Sequence, residues 1–291
     1  MLYIFDISKK SFIINYIHNI ERLKEKGGRD KLLYYETIKK DETSQWVVFI
    51  HGIGGSTLTW KKQIDDFSKN HNILLIDLAG HGKSRDMKSE HNIVGVPHEI
   101  KDILDYLNIQ KAHFVGMSLG TLILVFYTLI YPDTVLSLTL GGAITSLSIN
   151  GKIALWFAQV TKKILPQKAT CDIFARVLMP KKNHELSRKI FIREALKMKK
   201  EEFLGWVGAL SMTKYAAVYI DLLKNISAIP ILYIMGSEDH LFLKGTQETA
   251  KKINADIELI DHCGHVCSIE RAKEFNEIAI NFIDNKVKAL A

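Results

Sequence analysis

The chain has 291 residues, of which 47% are hydrophobic and 24% charged, and its formal net charge is +7 at pH 7. This is the composition of an ordinary soluble globular protein. No apolar stretch is long enough to span a membrane, and the first residues lack the form of a signal peptide, so we expect a cytoplasmic protein. Three cysteines, Cys171, Cys263 and Cys267, do not suggest a disulfide framework, and no second ligand pair accompanies Cys263 and Cys267 to form a zinc site.

The positive charge is concentrated in residues 151–228, which hold 15 basic and 6 acidic residues. We interpret this excess as the solvated outer faces of several helices. Contact with an anionic membrane surface or an acidic substrate is the alternative. No nucleic-acid motif and no interleaving of aromatic and basic residues predicts binding to DNA or RNA.

Residues 1–30 form a predicted N-terminal extension, with apolar residues at helical spacing and a double glycine near its end. We favour a helix that packs on the protein's own surface, because amphipathic helices usually do so. A basic amphipathic helix could also anchor a lipid-directed hydrolase to a membrane surface, which is a second interpretation.

Strands and helices alternate along the next part of the chain. The predicted strands are residues 32–38, 46–50, 73–78, 112–117 and 135–140, and the predicted helices are 57–70, 96–107 and 119–131. Several of these strands are continuous apolar runs, as in strands buried on both faces. The alternation therefore predicts an α/β fold, in which helices cover both faces of a mostly parallel sheet.

The alternation is interrupted after residue 143. Only helical patterns follow, at residues 153–165, 170–178, 185–198 and 202–223. Strands then return at 231–235 and 256–260, with helices at 245–253 and 269–287. We therefore predict an α/β core of residues 31–143 and 229–291, and a helical cap of residues 144–228 that projects from the carboxyl edge of the sheet.

The most informative stretch is Gly-Met-Ser-Leu-Gly at residues 116–120, between a predicted strand and a predicted helix. This G-x-S-x-G pattern is typical of a nucleophile elbow, a tight turn that exposes a serine above the ends of the strands. Ser118 is the candidate nucleophile. The helix that follows directs free N–H groups and its positive dipole end at the same place.

A serine nucleophile needs a base, and the base needs an orienting acid. In this arrangement the acid and then the histidine follow the serine, each on a loop behind a strand. Asp239 or Glu238 could be the acid, and we favour Asp239 for its place three residues after Gly236.

Histidines close to the strand that ends at residue 260 are the candidate bases. We favour His265, which follows a glycine and leads into the last helix, over His262, which lies nearer the strand. His240 adjoins the candidate acid and is not expected to be the base. His51 is expected to brace its glycine-rich loop instead.

An oxyanion formed on a substrate carbonyl needs prepared donors. One is the backbone N–H of Leu119, directly after the serine. The second is expected from the glycine-rich loop after the strand 46–50, where we choose the backbone N–H of Ile53.

Five motifs, at residues 51–55, 77–84, 116–120, 236–239 and 263–265, together resemble the α/β-hydrolase superfamily, including its carboxylesterases. The resemblance covers residue 32 to the C-terminus. It implies a helical cap inserted after the sixth strand of the fold, a triad of Ser118, His265 and Asp239, and no cofactor. Serine at position 118 argues against the haloalkane dehalogenase and epoxide hydrolase branches, which use an aspartate there.

Aromatic residues of the cap favour an apolar substrate. The candidate substrate contacts are Met117, Trp156, Phe174 and Trp206. The leading hypothesis is hydrolysis of a small, largely apolar carboxylic ester. Lactone, thioester, amide or carbon–carbon bond hydrolysis and acyl transfer use the same apparatus and remain open, and a ligand sensor with little turnover is the alternative of a different class.

Overall fold

A computed structural model describes residues 32–88, 91, 93, 95–146, 165–210, 223–226 and 228–290. The predicted N-terminal helix lies outside the described residues. So do most of the predicted helix 153–165 and residues 211–222 of the predicted helix 202–223. The domain boundaries that we drew from the sequence stay predictions.

Seven strands form one sheet. They are β1 (Tyr35–Ile38), β2 (Trp46–Ile50), β3 (Asn72–Ile76), β4 (Ala112–Met117), β5 (Val135–Gly141), β6 (Ile231–Gly236) and β7 (Asp256–Ile260). Their order across the sheet is β1-β3-β2-β4-β5-β6-β7. Only β1 pairs in an antiparallel manner, with β3, so the predicted mostly parallel sheet is confirmed.

Nine α-helices lie within the described residues. They are α1 (Lys61–Phe67), α2 (Val96–Tyr106), α3 (Leu119–Ile130), α4 (Gln167–Leu178), α5 (Glu185–Ala195), α6 (Lys200–Ala209), α7 (Leu243–Ile253), α8 (Cys267–Glu270) and α9 (Ala272–Leu290). Short 3₁₀ turns precede some of them, including Thr57–Trp60 before α1 and Lys182–His184 before α5. None of the helices in this part of the chain is long and apolar enough to cross a membrane.

The predicted last helix is divided in the structure. Instead of one helix over residues 269–287, α8 ends at Glu270 and α9 begins at Ala272. Arg271 between them has φ −133° and ψ 55°, which is outside the helical region. Hydrophobic periodicity continues through such a break, so the sequence pattern did not reveal it.

The core lies on both faces of the sheet because successive strand residues point to opposite sides. In β2, Val48 and Ile50 join one apolar cluster, and Val47 and Phe49 join the other. Side chains of α2 and α3 belong to the first cluster, and side chains of α1 and α9 belong to the second. Helices therefore cover both faces, as predicted.

The inserted helices α4, α5 and α6 lie in the chain between β5 and β6. These two strands are hydrogen-bonded neighbours, so the chain returns to the sheet beside the strand that it left. The insertion follows β5, which is the fifth strand in chain order among the described residues. Ser118 directly follows β4, which pairs in parallel with β5, so the serine lies at the carboxyl edge of the sheet beside the point where the chain leaves β5 for the insertion.

Candidate active site

Ser118 lies in a strained turn between β4 and α3. Its φ of 53° and ψ of −116° are unusual for a residue that is not glycine. A Cβ atom on Gly116 would lie 2.8 Å from Leu124 Cδ1 and 3.0 Å from the Gly120 backbone. Glycine is therefore needed at position 116 for the strand and helix to approach this closely.

A chain of hydrogen bonds runs from Ser118 into the protein. The Ser118 Oγ atom lies 2.8 Å from His265 Nε2, and His265 Nδ1 lies 2.8 Å from Asp239 Oδ2. A carboxylate accepts hydrogen bonds, so the imidazole proton is on Nδ1 and the Nε2 lone pair is free to accept the serine proton. The side chains of His265 and Asp239 are almost entirely buried.

The structure brings Asp239, and not Glu238, to His265. The second oxygen of Asp239 accepts the backbone N–H groups of Leu241 and Phe242 at 3.3 and 3.1 Å, which fixes the orientation of the carboxylate. Glu238 turns away and accepts a hydrogen bond of 2.9 Å from Asn183 of the inserted segment.

Among the histidines that the structure describes, the hydrogen bond to Ser118 comes from His265, and neither His262 nor His51 makes one. The His262 side chain is 83% exposed, and its backbone has a positive φ of 50°. His51 is buried and accepts the N–H of Leu78 at Nε2, at 3.1 Å, so its Nδ1–H donates to the Gly52 carbonyl at 2.8 Å. Burial lowers the pKa of His51. His51 thus connects two loops, which agrees with the bracing role expected from the sequence.

The sequence predicts two backbone N–H groups as oxyanion donors. Within the described part of the chain, the N–H groups of Ile53 and Leu119 have no hydrogen-bond acceptor. Gly52 packs tightly on the elbow, since a Cβ atom there would lie 3.0 Å from Ser118 Cβ. The absence of this side chain holds the Ile53 loop next to the serine.

The turn that follows the Ile53 loop is held by Asp77, a residue to which no role was assigned from the sequence. Asp77 Oδ1 accepts the N–H of Thr57 at 2.6 Å, and its Oδ2 accepts the N–H of Lys83 at 2.7 Å. Asp77 thereby ties the loop after β3 to the turn that precedes α1. In the sequence, this role of Asp77 is indicated by its position directly after a buried apolar strand.

A mostly apolar cavity opens beside Ser118, with an empty volume of about 680 Å³ that includes its opening to solvent. Met117 and Phe174, two of the predicted substrate contacts, are among its lining residues. Other apolar lining residues, which the sequence did not indicate, include Ile144, Leu178, Ile190, Phe191, Leu210 and Phe242.

Trp206 is a correction to the predicted substrate contacts. It is fully buried and is not part of the cavity lining. Its indole N–H donates to the carbonyl of Ala79 at 3.2 Å, and its ring packs against His81 and His91. Trp206 therefore joins α6 to the core. Trp156, the other predicted tryptophan contact, lies outside the described residues.

The three thiols are free and buried. Burial raises the pKa of Cys171 to about 11 and raises those of Cys263 and Cys267 further. In the described ranges, no group of three or more histidine, cysteine, aspartate or glutamate side chains is arranged to hold a metal ion.

Comparison with known proteins agrees with this architecture. A family model described as the alpha/beta hydrolase fold matches residues 45–272. A solved carboxylesterase structure from the ammonia-oxidizing thaumarchaeon Nitrososphaera gargenis superimposes with a TM-score of 0.74 and 22% identity. That match covers 88% of this chain and 95% of the other, and it is a likeness of fold.

The relatives of this chain have different substrates in their names. The chain is 26% identical to the 2-hydroxy-6-oxononadienedioate/2-hydroxy-6-oxononatrienedioate hydrolase of Pseudomonas sp, over 81% of this chain and 87% of the relative. It is 23% identical to the monoacylglycerol lipase ABHD6 of Rattus norvegicus, over 81% of this chain and 74% of the relative.

Proposed function

The chain belongs to the α/β-hydrolase family, and on that premise we propose that it is a serine hydrolase. It cleaves a carboxylic ester, or a similar acyl bond, of a small and largely apolar substrate through an acyl-enzyme on Ser118. One observation carries the proposal: Ser118, His265 and Asp239 are joined by two hydrogen bonds of 2.8 Å. A serine that serves only structure needs no buried base and acid behind it.

In the proposed first step, Ser118 Oγ attacks the carbonyl carbon while His265 Nε2 takes the serine proton. Asp239 keeps Nδ1 protonated and stabilises the imidazolium that forms. The negative charge on the substrate oxygen is met by the N–H groups of Ile53 and Leu119. His265 then returns its proton to the departing alcohol, which leaves the acyl group on the serine.

In the second step, water enters and gives a proton to His265 Nε2 as its oxygen attacks the acyl carbon. The acid is released, and the proton returns to Ser118. Because the lining of the cavity is mostly apolar, we propose that it holds the hydrocarbon part of the acyl or alcohol group. The monoacylglycerol lipase among the relatives, named for an ester substrate, supports this choice.

Turnover of a chain-length series of p-nitrophenyl esters tests the proposal. We expect repeated turnover by the wild type and a loss of about 10⁴-fold or more in Ser118→Ala. Ser68→Ala is the matched control and should retain full activity, because Ser68 is only partly buried, its hydroxyl donates to the Asp65 carbonyl, and it does not line the cavity.

A fluorophosphonate that labels activated serines provides a second measurement. It should modify the wild type at Ser118 and leave Ser118→Ala unlabelled. Turnover that survived in Ser118→Ala would contradict the proposed nucleophile. A folded wild type without labelling or turnover, but stabilised by an apolar ligand, would instead support the ligand-sensor alternative.

A further inference from the structure

Two largely buried carboxylates lie beside the loops that carry the proposed acid and base. Glu238 directly precedes Asp239 in the chain. Glu270 Oε2 accepts a hydrogen bond of 2.7 Å from the N–H of Gly264, the residue before His265. The side chains of Glu238 and Glu270 are only 13% and 4% exposed, so each needs a partner within the protein.

His184, the last residue of the 3₁₀ turn before α5, lies between these carboxylates and is fully buried. Its Nε2 atom is 2.8 Å from Glu238 Oε2 and 3.8 Å from Glu270 Oε2. The N–H of Lys181 donates to His184 Nδ1 at 3.4 Å. Because a backbone N–H can only donate, Nε2 carries the proton of the neutral ring and donates it to Glu238.

The His184 ring also touches the loop of the proposed base. A Cβ atom on Gly264 would lie 2.7 Å from two atoms of this ring, so the imidazole packs directly on the Gly264 backbone. The two loops are joined to each other as well, since the N–H of Glu238 donates to the Cys263 carbonyl at 2.8 Å. One side chain of the inserted segment therefore contacts the immediate neighbours of both the proposed acid and the proposed base.

Further polar side chains of the inserted segment contact Glu238 and Glu270. Asn183 donates to Glu238 Oε2 at 2.9 Å, and Lys181 Nζ lies 3.0 Å from Glu238 Oε1. These contacts, with the Asn183 hydrogen bond as the largest cause, lower the pKa of Glu238 to about 2. The Ser187 hydroxyl donates to Glu270 Oε1 at 2.9 Å. Glu238 is therefore ionised at neutral pH and is held by the inserted segment.

We propose that His184 is a positioning residue, which keeps the loops of Asp239 and His265 in the geometry that Ser118 requires while the inserted helices are in place. The inference rests on the proposed hydrolase function. Without the His184 ring, Glu238 loses a hydrogen-bond donor and the Gly264 backbone loses the ring that packs on it, so each of the two loops loses a contact that holds it in place. A displacement of about 1 Å at a reacting group costs on the order of 10² in rate.

The test compares three replacements of His184 in the full chain, with p-nitrophenyl ester turnover as the readout. We expect His184→Ala to lower kcat about 10²-fold and to change KM by less than about threefold. His184→Gln should restore most of kcat, because its amide nitrogen can donate where Nε2 did. His184→Asn is one methylene shorter and should not. If His184→Ala fails to fold, the glutamine and asparagine variants carry the test alone.

Glu202→Gln is the matched control. Glu202 of α6 pairs with His91 of the core at 2.9 Å, which is another contact between the inserted helices and the core but on a different loop. We expect this variant to retain the wild-type kcat. Equal losses of kcat in Glu202→Gln and His184→Ala, or a wild-type kcat in folded His184→Ala, would overturn the positioning role.

A readout that needs no turnover separates this inference from the proposed function. The His265 Nδ1–H in its hydrogen bond to Asp239 should give a low-field proton resonance, which we expect in the wild type and not in His184→Ala. An unchanged resonance in His184→Ala would overturn the inference even if the enzyme is active. A wild type that shows the resonance but hydrolyses no ester would contradict the proposed function, and loss of the resonance in His184→Ala would still support the positioning role.

Discussion

Gly120 and Ile50 meet backbone to backbone: a Cβ atom at position 120 would overlap the carbonyl oxygen of Ile50. The contact joins the first turn of α3 to the end of β2, and the loop that follows β2 carries Ile53, the proposed oxyanion donor. Neither partner can yield by rotating a side chain, because both surfaces are main chain. The close approach of these two elements thus depends on one missing methyl group.

Gly120→Ala should therefore lower the free energy of unfolding by about 2 kcal/mol or more, and ester turnover should fall with it. Gly245→Ala in α7 is a matched comparison, because its nearest neighbour is the Ser146 hydroxyl, which can rotate away. We expect that variant to be close to wild type. Urea unfolding followed by circular dichroism measures both, and equal midpoints for the two variants would contradict the explanation.

Asp239→Asn should lower kcat by about 10⁴-fold. The Asp239 carboxylate fixes the Nδ1–H tautomer of His265 and stabilises the imidazolium. An asparagine amide cannot do both. Asp261→Asn removes an exposed carboxylate from the loop that precedes His265 and should leave kcat unchanged. Steady-state kinetics on one p-nitrophenyl ester decides the matter, and comparable kcat values for the two variants would count against Asp239 as the acid.

Stability should fall between pH 6.5 and pH 4 because of a buried histidine. His113 hydrogen-bonds to Ser137 and Gln45, and burial, followed by the nearby His71, lowers its pKa to about 4. In this pH range the unfolded chain binds a proton that the folded chain does not. The contribution of His113 to the free energy of unfolding is therefore complete above pH 6.5. It is lost as the pH falls towards 4, by up to about 3 kcal/mol.

Urea unfolding at a series of pH values measures this dependence. His113→Gln should have a shallower decline in the free energy of unfolding from pH 6.5 to pH 4, and a residual slope should remain because burial also lowers the pKa of His51, His71 and His81. His262→Gln, at an exposed position, should keep the wild-type slope. Identical slopes in all three proteins would exclude His113 as a source.

Phe174→Ala should shift the preferred ester towards longer chains. Phe174 lines the cavity and packs on Phe191 and Phe203 at 5.7 Å between ring centroids, so its removal enlarges the space beside Ser118. Trp206→Phe is the contrast, since it loses the hydrogen bond to Ala79 away from the cavity. It should lose about 1 kcal/mol of stability and keep the wild-type chain-length optimum. The same preferred chain length in Phe174→Ala and wild type would contradict the assignment of Phe174 to the substrate cavity.

Local patterns predicted most of the fold and the centre of the site. The elbow around Ser118 is a contiguous motif, and its two glycines are required by contacts that any such turn makes. Asp239 and Glu238 are adjacent in the chain, so only the direction of each side chain separates them. Glu238 points towards Asn183 and His184, which are distant in sequence.

Aromatic residues were harder to interpret. A sequence pattern identifies Phe174 and Trp206 as apolar residues on helices of the inserted segment, but not which surface each helix presents to the core. Phe174 reaches the cavity, whereas Trp206 packs on the loop that contains Ala79. The break between α8 and α9 at Arg271 was not predicted, because the apolar periodicity continues across it.

Because β5 and β6 are neighbours in the sheet, the segment between them can be exchanged for that of another parent protein without a change in strand pairing. The sheet's hydrogen bonds do not depend on what lies between two strands that already pair, and the entropic cost of a longer connection grows slowly with length. A chimera could therefore take its substrate preference from one parent and its nucleophile, base and acid from the other. Such an exchange would succeed only if the incoming segment also supplies a donor for Glu238 and Glu270.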